Sequence, residues 1–269
     1  MQRVFITGAS SGIGAALARR YAEQGASLGL AARRAEALRQ LAASLPNPER
    51  HRCYPLDVTD HAALAAAAAD FIAVAGGADV VIANAGISQG TLTEYAEDLE
   101  VFERIVATNL SATVATFAPF IAAMKRQAEA GHACRLAGIA SVAGIRGIPG
   151  AGAYSASKAA VISYCESLRV ELRGSGIRVV TIAPGYIDTP MTRINPYPMP
   201  FLLSAEKFAA RAQQAIDAGV SYRVIPWQMG VVAKLLRLLP NAVFDALSAK
   251  AGRKPRQLPE QAGEPPLAG

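Results

Sequence analysis

The 269 residues carry 52% apolar and 18% charged side chains, 23 glycines and a net charge of +6. That apolar content excludes a mainly disordered chain, and the length fits one large domain with a sizeable core. Three cysteines (Cys53, Cys134, Cys165) and three histidines (His51, His61, His132) fall in no CxxC, HxxxH or HExxH spacing. No metal site and no disulfide framework is therefore expected, and a reduced, cytoplasmic setting is.

Residues 1–8 hold an apolar run too short for a signal-peptide core. Runs at 3–7, 27–31, 52–56, 80–83, 135–140, 178–182 and 223–225 are apolar nearly throughout rather than alternating. Strands buried on both faces have this character, which predicts a parallel sheet covered by helices. Helical stretches lie between them at 14–24, 35–43, 60–74, 98–129, 153–173 and 204–218; Ser204 is placed to cap the last and Gly219 to end it. The alternation predicts the α/β class: a doubly wound Rossmann fold with a seven-stranded parallel sheet and helices on both faces. Window 105–124 is uncharged and long enough to span a membrane, but Thr108, Asn109, Ser111, Thr113, Thr116 and Pro119 make a buried helix the better reading.

Residues 7–14 read Thr-Gly-Ala-Ser-Ser-Gly-Ile-Gly, after the first strand and at the start of a helix. This is the context of a dinucleotide-binding turn. Gly8, Gly12 and Gly14 let the backbone turn tightly, and the N–H groups around Ser10, Ser11 and Ile13 meet a pyrophosphate. The spacing is GxxxGxG rather than GxGxxG. Residues 8–12 also match the G-x-S-x-G elbow of α/β-hydrolases, with Ser10 as nucleophile. No histidine follows His132, so that alternative lacks a base in the usual chain order. The second strand runs into Ala32, Arg33 and Arg34, where NAD-binding folds usually carry an acidic residue. A guanidinium binds a 2′-phosphate that a carboxylate repels, so NADP(H) is the expected cofactor. Arg33 is the expected phosphate ligand and Ser10 the second, with Arg34 starting a solvated helix.

Tyr154 and Lys158 stand four residues apart in a helical segment, one turn and the same face. A phenol titrates near 10, and a nearby cation favours the phenolate. Ser141 ends the strand upstream, at the edge where doubly wound sheets bind ligands. The chain here resembles the short-chain dehydrogenase/reductase family. The matching positions are residues 7–14, Asp57-Val58, Asn84-Ala85-Gly86, Asn109, Ser141, Tyr154, Lys158, Pro184-Gly185 and Thr189, mostly within residues 1–190. Two small departures are Ala83, where a second asparagine is common, and Ala140 before Ser141.

The resemblance implies roles. Tyr154 exchanges a proton with the substrate oxygen, Ser141 hydrogen-bonds that oxygen, and Lys158 lowers the tyrosine pKa and holds the nicotinamide ribose. Asn109, through a helix kink, holds a water linking Lys158 to solvent. Asp57 and Val58 contact the adenine. Asn84, Ala85 and Gly86 line the cofactor, and Ile187 and Thr189, after Pro184-Gly185, hold the carboxamide. The implied activity is an oxidoreductase using NADP(H) on a carbonyl or secondary alcohol; an NADP-binding sensor without turnover is the alternative. The implied assembly is a homodimer or homotetramer.

Residues 191–203 hold three prolines and mostly apolar side chains, as a lid over an apolar substrate would. Arg146 and Arg193 are alternative recruiters of an anionic group. The organisation expected is a catalytic domain over 1–227 with a lid at 190–219, a helical extension at 228–251, and a mobile tail at 252–269 rich in proline and glycine. The apolar run at 230–239 carries Lys234 and Arg237, so it packs on the body or a second subunit, or touches a membrane surface peripherally. No nucleic-acid partner is expected, since no stacking motif or basic helix appears in the body. Residues 1–192 hold 17 basic and 16 acidic side chains, and residues 193–269 hold 10 and 5, so the basic excess belongs to the second part.

Overall fold

A computed structural model describes residues 1–249, 252 and 254–256. Its centre is a seven-stranded sheet of β1 (Arg3–Thr7), β2 (Ser27–Ala32), β3 (His51–Pro55), β4 (Val80–Ala83), β5 (Cys134–Ile139), β6 (Ile177–Pro184) and, last in chain order, β9 (Tyr222–Ile225). The spatial order is β3-β2-β1-β4-β5-β6-β9, every pairing is parallel, and Phe5 lies level with Gly29 on one side and Val81 on the other. The chain winds outward from β1 to β3, then crosses back to β4 and winds the other way. The doubly wound reading therefore holds, with each predicted strand within a residue or two of its observed ends.

Side chains alternate across the strands as the twofold pleat requires. Val4 and Ile6 point into one core, with Leu17 and Tyr21 of α1 (Gly12–Glu23), Leu38 of α2 (Ala35–Ser44) and Phe208 of α8 (Ala205–Asp217). Phe5 and Val81 point into the other, with Phe71 of α3 (His61–Ala75), Phe117 and Phe120 of α5 (Ala112–Glu129) and Val161 of α6 (Gly152–Glu171). Between α4 (Asp98–Val106) and α5 the predicted single helix is interrupted by a π-helical turn over Ala107–Ser111. The whole helix is long and apolar enough to cross a membrane by length and composition, yet Phe117, Phe120 and Met124 are fully buried against the sheet.

Four features add to or depart from the sequence reading. A two-stranded parallel pair, β7 (Ile187–Asp188) with β8 (Leu203–Ser204), closes the base of the 190–203 excursion, which opens with α7 (Pro190–Arg193). Residues 205–217, expected with the lid, form the core helix α8, because Phe208, Ala209, Ala212 and Ile216 fall on one helical face and pack on α1 and the sheet. The run at 230–239 is part of α9 (Trp227–Leu238); Pro240 then caps a further helix, α10 (Asn241–Ser248). Trp227, Val231, Leu235 and Leu238 of α9 are exposed. The tail expected to be mobile over 252–269 is partly seated: Lys254 is buried and Arg256 half-buried, both bonded to the body, while 253 and 257–269 lie outside the described residues.

At the edge of the sheet opposite the strand carboxyl ends, Asp79 anchors β1 to β4. It accepts from the Arg3 backbone N–H (2.8 Å) and Nε (2.9 Å), and from Gln127 Nε2 (3.2 Å). Asp79 is 7% exposed, so removing it leaves a guanidinium confined without its anion. Such losses cost roughly 3–5 kcal/mol. Asp79→Ala is expected to lower unfolding stability in urea by about 3 kcal/mol, and a loss under about 0.5 kcal/mol, the range of an ordinary surface change, contradicts the anchor.

Candidate active site

The site lies on the carboxyl edge of the sheet, where β1 and β4 diverge. Thr7 closes β1 and donates its hydroxyl to Ile82 O (3.4 Å); the same oxygen accepts from the N–H groups of Asn84 (3.1 Å) and Ala85 (3.2 Å). Asn84 Nδ2 returns to the carbonyls of Thr7 (3.0 Å) and Gly8 (3.2 Å). Gly8 has φ +67, a left-handed backbone that favours glycine, and a Cβ there would lie 2.8 Å from Ala85 Cα. At Gly14 a Cβ would collide with the Gly8 carbonyl and the Asn84 amide. The glycines thus let the turn fold onto the end of β4. Ser11, the N-cap of α1, makes no side-chain cap, so the N–H groups of Gly12, Ile13 and Gly14 meet no capping oxygen. Uncapped N–H groups at a helix start form an anion site.

Ser141, 7% exposed, follows β5, and its Oγ accepts from Ala143 N (3.1 Å). Tyr154 and Lys158 stand on α6 as predicted, the Lys158 Nζ 5.9 Å from the Tyr154 ring centroid. Lys158 is 4% exposed and donates to Ile139 O at 2.8 Å. Burial holds its ammonium down to about 8. Burial also pushes the Tyr154 phenol above its ordinary value, and a hydrogen bond from Ser141 draws it back. Burial thus acts on the phenol against the lowering expected of Lys158.

Asn109 sits at the centre of the π-helical turn and is fully buried. Its Oδ1 accepts from Ile87 N (2.8 Å), while Nδ2 donates to Ile87 O (3.0 Å) and Ser157 Oγ (3.0 Å); Ser157 in turn donates to Tyr154 O (2.8 Å). The kink is present; both Nδ2 protons are engaged, and Oδ1 accepts one of the two hydrogen bonds open to it. Gly86 lies beside it, its Cβ position 3.2 Å from Asn109 Oδ1 and 3.5 Å from Lys158 Nζ. Asn109 thereby ties the loop after β4 to the helix carrying Tyr154.

Each of the two arginines has a partner near the glycine turn. Arg34 Nη2 lies on Ser10, 3.3 Å from Oγ and 3.4 Å from the carbonyl, whereas Arg33 Nη1 is 3.8 Å from Asp57 Oδ2. Arg34 is the N-cap of α2, and the helix start turns it back toward the glycine turn. The Ser10 hydroxyl accepts from a guanidinium, and among the described residues no histidine or carboxylate is seen bonded to it as the hydrolase reading would need. Asp57 accepts from Thr59 N (2.9 Å) and Oγ1 (2.8 Å), and Val58 is buried in the core. Gly185 N donates to Ile225 O after Pro184; Ile187 is buried, and Thr189 Cγ2 lies 3.2 Å from the Gly12 Cβ position. The predicted residues thus converge on one crevice, with Arg33 at its margin. Neither alternative anion recruiter is free: Arg146 bonds the carbonyls of Arg237 and Leu239 at the end of α9, and Arg193 pairs with Asp188 at 2.8 Å. Thr7 falls within the 7–14 match, but its bonds to Asn84 and Ala85 and the partnership of Ser157 left no signal in the sequence.

The family model of the short chain dehydrogenases matches residues 2–196. An uncharacterised oxidoreductase of Myxococcus xanthus is 38% identical over 251 residues, 91% of this chain and 95% of that protein. One from Mycobacterium tuberculosis is 37% identical over 243 residues, 89% of this chain and 94% of the relative. Among solved structures, the 3-ketoacyl-(acyl-carrier-protein) reductase of Brucella melitensis complexed with NADH superposes with a TM-score of 0.76 at 26% identity, over 83% of this chain and 96% of that one.

The buried Lys158 sets a test of the site's electrostatics. Its folded pKa, about 8, lies below its ordinary 10.5, so the folded state holds fewer protons than the unfolded state between these values. The lysine's penalty is complete below pH 8 and is relieved as pH rises toward 10.5. Lys158→Met is expected to be at least as stable as the parent at pH 7. Its advantage should shrink by about 3 kcal/mol between pH 8 and 10.5, followed by thermal unfolding; a pH-independent difference contradicts the burial penalty.

Proposed function

Because the chain belongs to the short-chain dehydrogenase/reductase family of oxidoreductases, we propose that it transfers hydride between NADP(H) and the carbonyl or secondary alcohol of a largely apolar small molecule. The observation that carries this reading is the convergence of Ser141, Tyr154 and Lys158 on the crevice bordered by the uncapped start of α1. The chain's residues fit a dinucleotide. Gly12, Ile13 and Gly14 offer N–H groups to a pyrophosphate, Asp57 and Val58 border the adenine side, and Ile187 and Thr189 border the carboxamide side. Lys158 would hold ribose hydroxyls, close to Gly86. A nicotinamide bound there supplies the hydride.

The remaining chemistry belongs to the side chains. Ser141 and Tyr154 hydrogen-bond the substrate oxygen, and Tyr154 gives it a proton during reduction or takes one during oxidation. Burial keeps the Tyr154 phenol protonated near neutrality, the form needed to donate. The Asn109–Ser157 chain holds the turn of α6 that carries Tyr154, so the phenol stays aligned with Ser141. For the apolar character of the substrate, the support is the 190–203 excursion, where Met191, Ile194, Phe201 and Leu202 are exposed. The preference for NADP(H) rests on two guanidinium groups and no carboxylate at the end of β2, Arg34 with Ser10 being the phosphate-binding pair and Arg33 its neighbour. For a homodimer or homotetramer, the support is the exposed apolar face of α9.

Two measurements test this. Tyr154→Phe is expected to lower kcat for ketone reduction by at least about a hundredfold, the usual worth of a proton-transferring group, while NADPH still quenches or shifts protein fluorescence on titration; near-parental turnover removes Tyr154 from its role. Arg34→Ala is expected to raise KM for NADPH by about tenfold, the loss of one charge-assisted pair, with KM for NADH little changed. If Arg33→Ala carries the larger effect, the assignment reverts to Arg33; a parent enzyme that prefers NADH overturns the NADP(H) reading.

A further inference from the structure

Beyond α10 the chain returns to the mouth of the active-site crevice. Lys254 is 9% exposed, and its Nζ donates to Ser88 Oγ at 3.0 Å and to Met191 O at 3.5 Å. Ser88 follows Ile87, which Asn109 holds by two hydrogen bonds, and Met191 stands two residues beyond Thr189, which lies against Gly12. The ammonium therefore bridges the two walls of the crevice, the loop after β4 and the 190–203 excursion. It has no carboxylate within 4 Å among the described residues, in contrast to the paired Arg193 and Arg256. Two of its three N–H donors are used, both by neutral oxygens. Taking an ammonium out of water without an anion costs several kcal/mol. Consistent with that cost, burial brings Lys254 down to about 8.

The segment is held there by built contacts. Arg256 pairs with Asp98 (2.8 Å) and Glu97 (3.0 Å), and its guanidinium lies 3.5 Å from the centroid of the Tyr95 ring. Asp98, only 5% exposed, is bonded at the same time to Leu92 N at 2.7 Å. Gly90 N donates to Pro255 O at 3.2 Å, and a Cβ at Gly90 would collide with Lys254 O. Gly90 has no positive φ, so its lack of a side chain serves the close passage of this segment rather than a turn. Gly252 passes Tyr197 equally closely, its Cβ position 2.7 Å from Tyr197 Cβ.

We propose that Lys254, clasped over the crevice by Arg256, is a specificity-determining residue that selects carbonyl substrates bearing an anionic head group, carboxylate or phosphate. The inference rests on the hydride-transfer reading above. An anion entering between Ser88 and Met191 supplies the charge that Lys254 lacks, while the apolar residues of the excursion take the rest of the molecule.

Three aryl methyl ketones sharing one reacting carbonyl test it in the full-length enzyme: 4-acetylbenzoate, 4-acetylphenyl phosphate and the neutral methyl 4-acetylbenzoate. The ratio of kcat/KM for each anionic ketone to that for the ester is expected to fall about tenfold or more in Lys254→Met, the worth of one charge-assisted contact. Gly90→Ala should produce the same fall, because it displaces the segment through its backbone while leaving the lysine side chain intact. The larger fall with the benzoate or the phosphate identifies which head group the site takes. An unchanged ratio in both variants overturns the proposal. So does weakened NADPH binding by Lys254→Met with the ratio unchanged, which makes the lysine a cofactor ligand. If none of the ketones is turned over, the hydride-transfer reading fails for this class. Thermal stabilisation by 4-acetylbenzoate then decides: its loss in Lys254→Met supports the anion site, and equal stabilisation of both proteins, or of neither, overturns it.

Discussion

The Asn84 side chain is the constraint on which the active-site crevice depends. One amide group bonds the carbonyls of Thr7 and Gly8, and the Thr7 hydroxyl accepts the N–H groups of Asn84 and Ala85 in return. These bonds join the ends of β1 and β4 at the point where the sheet reverses its winding. In an open parallel sheet that point is where connections leave in opposite directions and a crevice must open. The Thr7–Asn84 link fixes how far the two strand ends separate. It also holds the glycine turn so that the first N–H groups of α1 face the crevice rather than the core.

The same economy governs the far side of the crevice. A buried ammonium is costly, and Lys158 meets that cost with a single carbonyl at the end of β5. The π-helical turn brings Asn109 to the loop after β4, and its amide reaches Ser157, which sits between Tyr154 and Lys158 in sequence. Loop, kinked helix and α6 therefore behave as one rigid wall. A loss of Asn109 would untie the loop after β4 from α6, since its amide bonds Ile87 on one side and Ser157 on the other.

The outer wall is assembled from parts far apart in the chain. The β7–β8 pair closes the base of the 190–203 excursion, and residues 254–256 reach across to Ser88, Glu97 and Asp98. Electrostatics explains why so charged a segment is seated: Arg256 finds a buried carboxylate already oriented by a backbone N–H. Of the basic side chains after residue 192, Lys254 and Arg256 are thus brought to the loop after β4, while Arg33 and Arg34, near the start of the chain, stand beside Asp57 and Ser10.

Much of this was legible in the sequence, and for a physical reason. Strand burial on two faces, helix periodicity, the glycine turn and the four-residue spacing of Tyr154 and Lys158 are all local patterns, set by backbone geometry over a few residues. The sheet, its crevice and the residues lining it follow from such patterns. Interactions between distant segments left no comparable trace. Whether Arg33 or Arg34 meets Ser10 depends on the direction in which α2 leaves the strand. The core position of α8 depends on which face of the sheet remained to be covered. A proline- and glycine-rich stretch reads as mobile until Gly90, Asp98 and Ser88 are brought together to receive it. The sequence by itself determined the fold class and the chemical groups at the crevice, because both are written in short-range periodicity. The tertiary structure alone decided which charges meet, because that depends on the loop and helix directions that bring residues 84–98, 191 and 254–256 to one place.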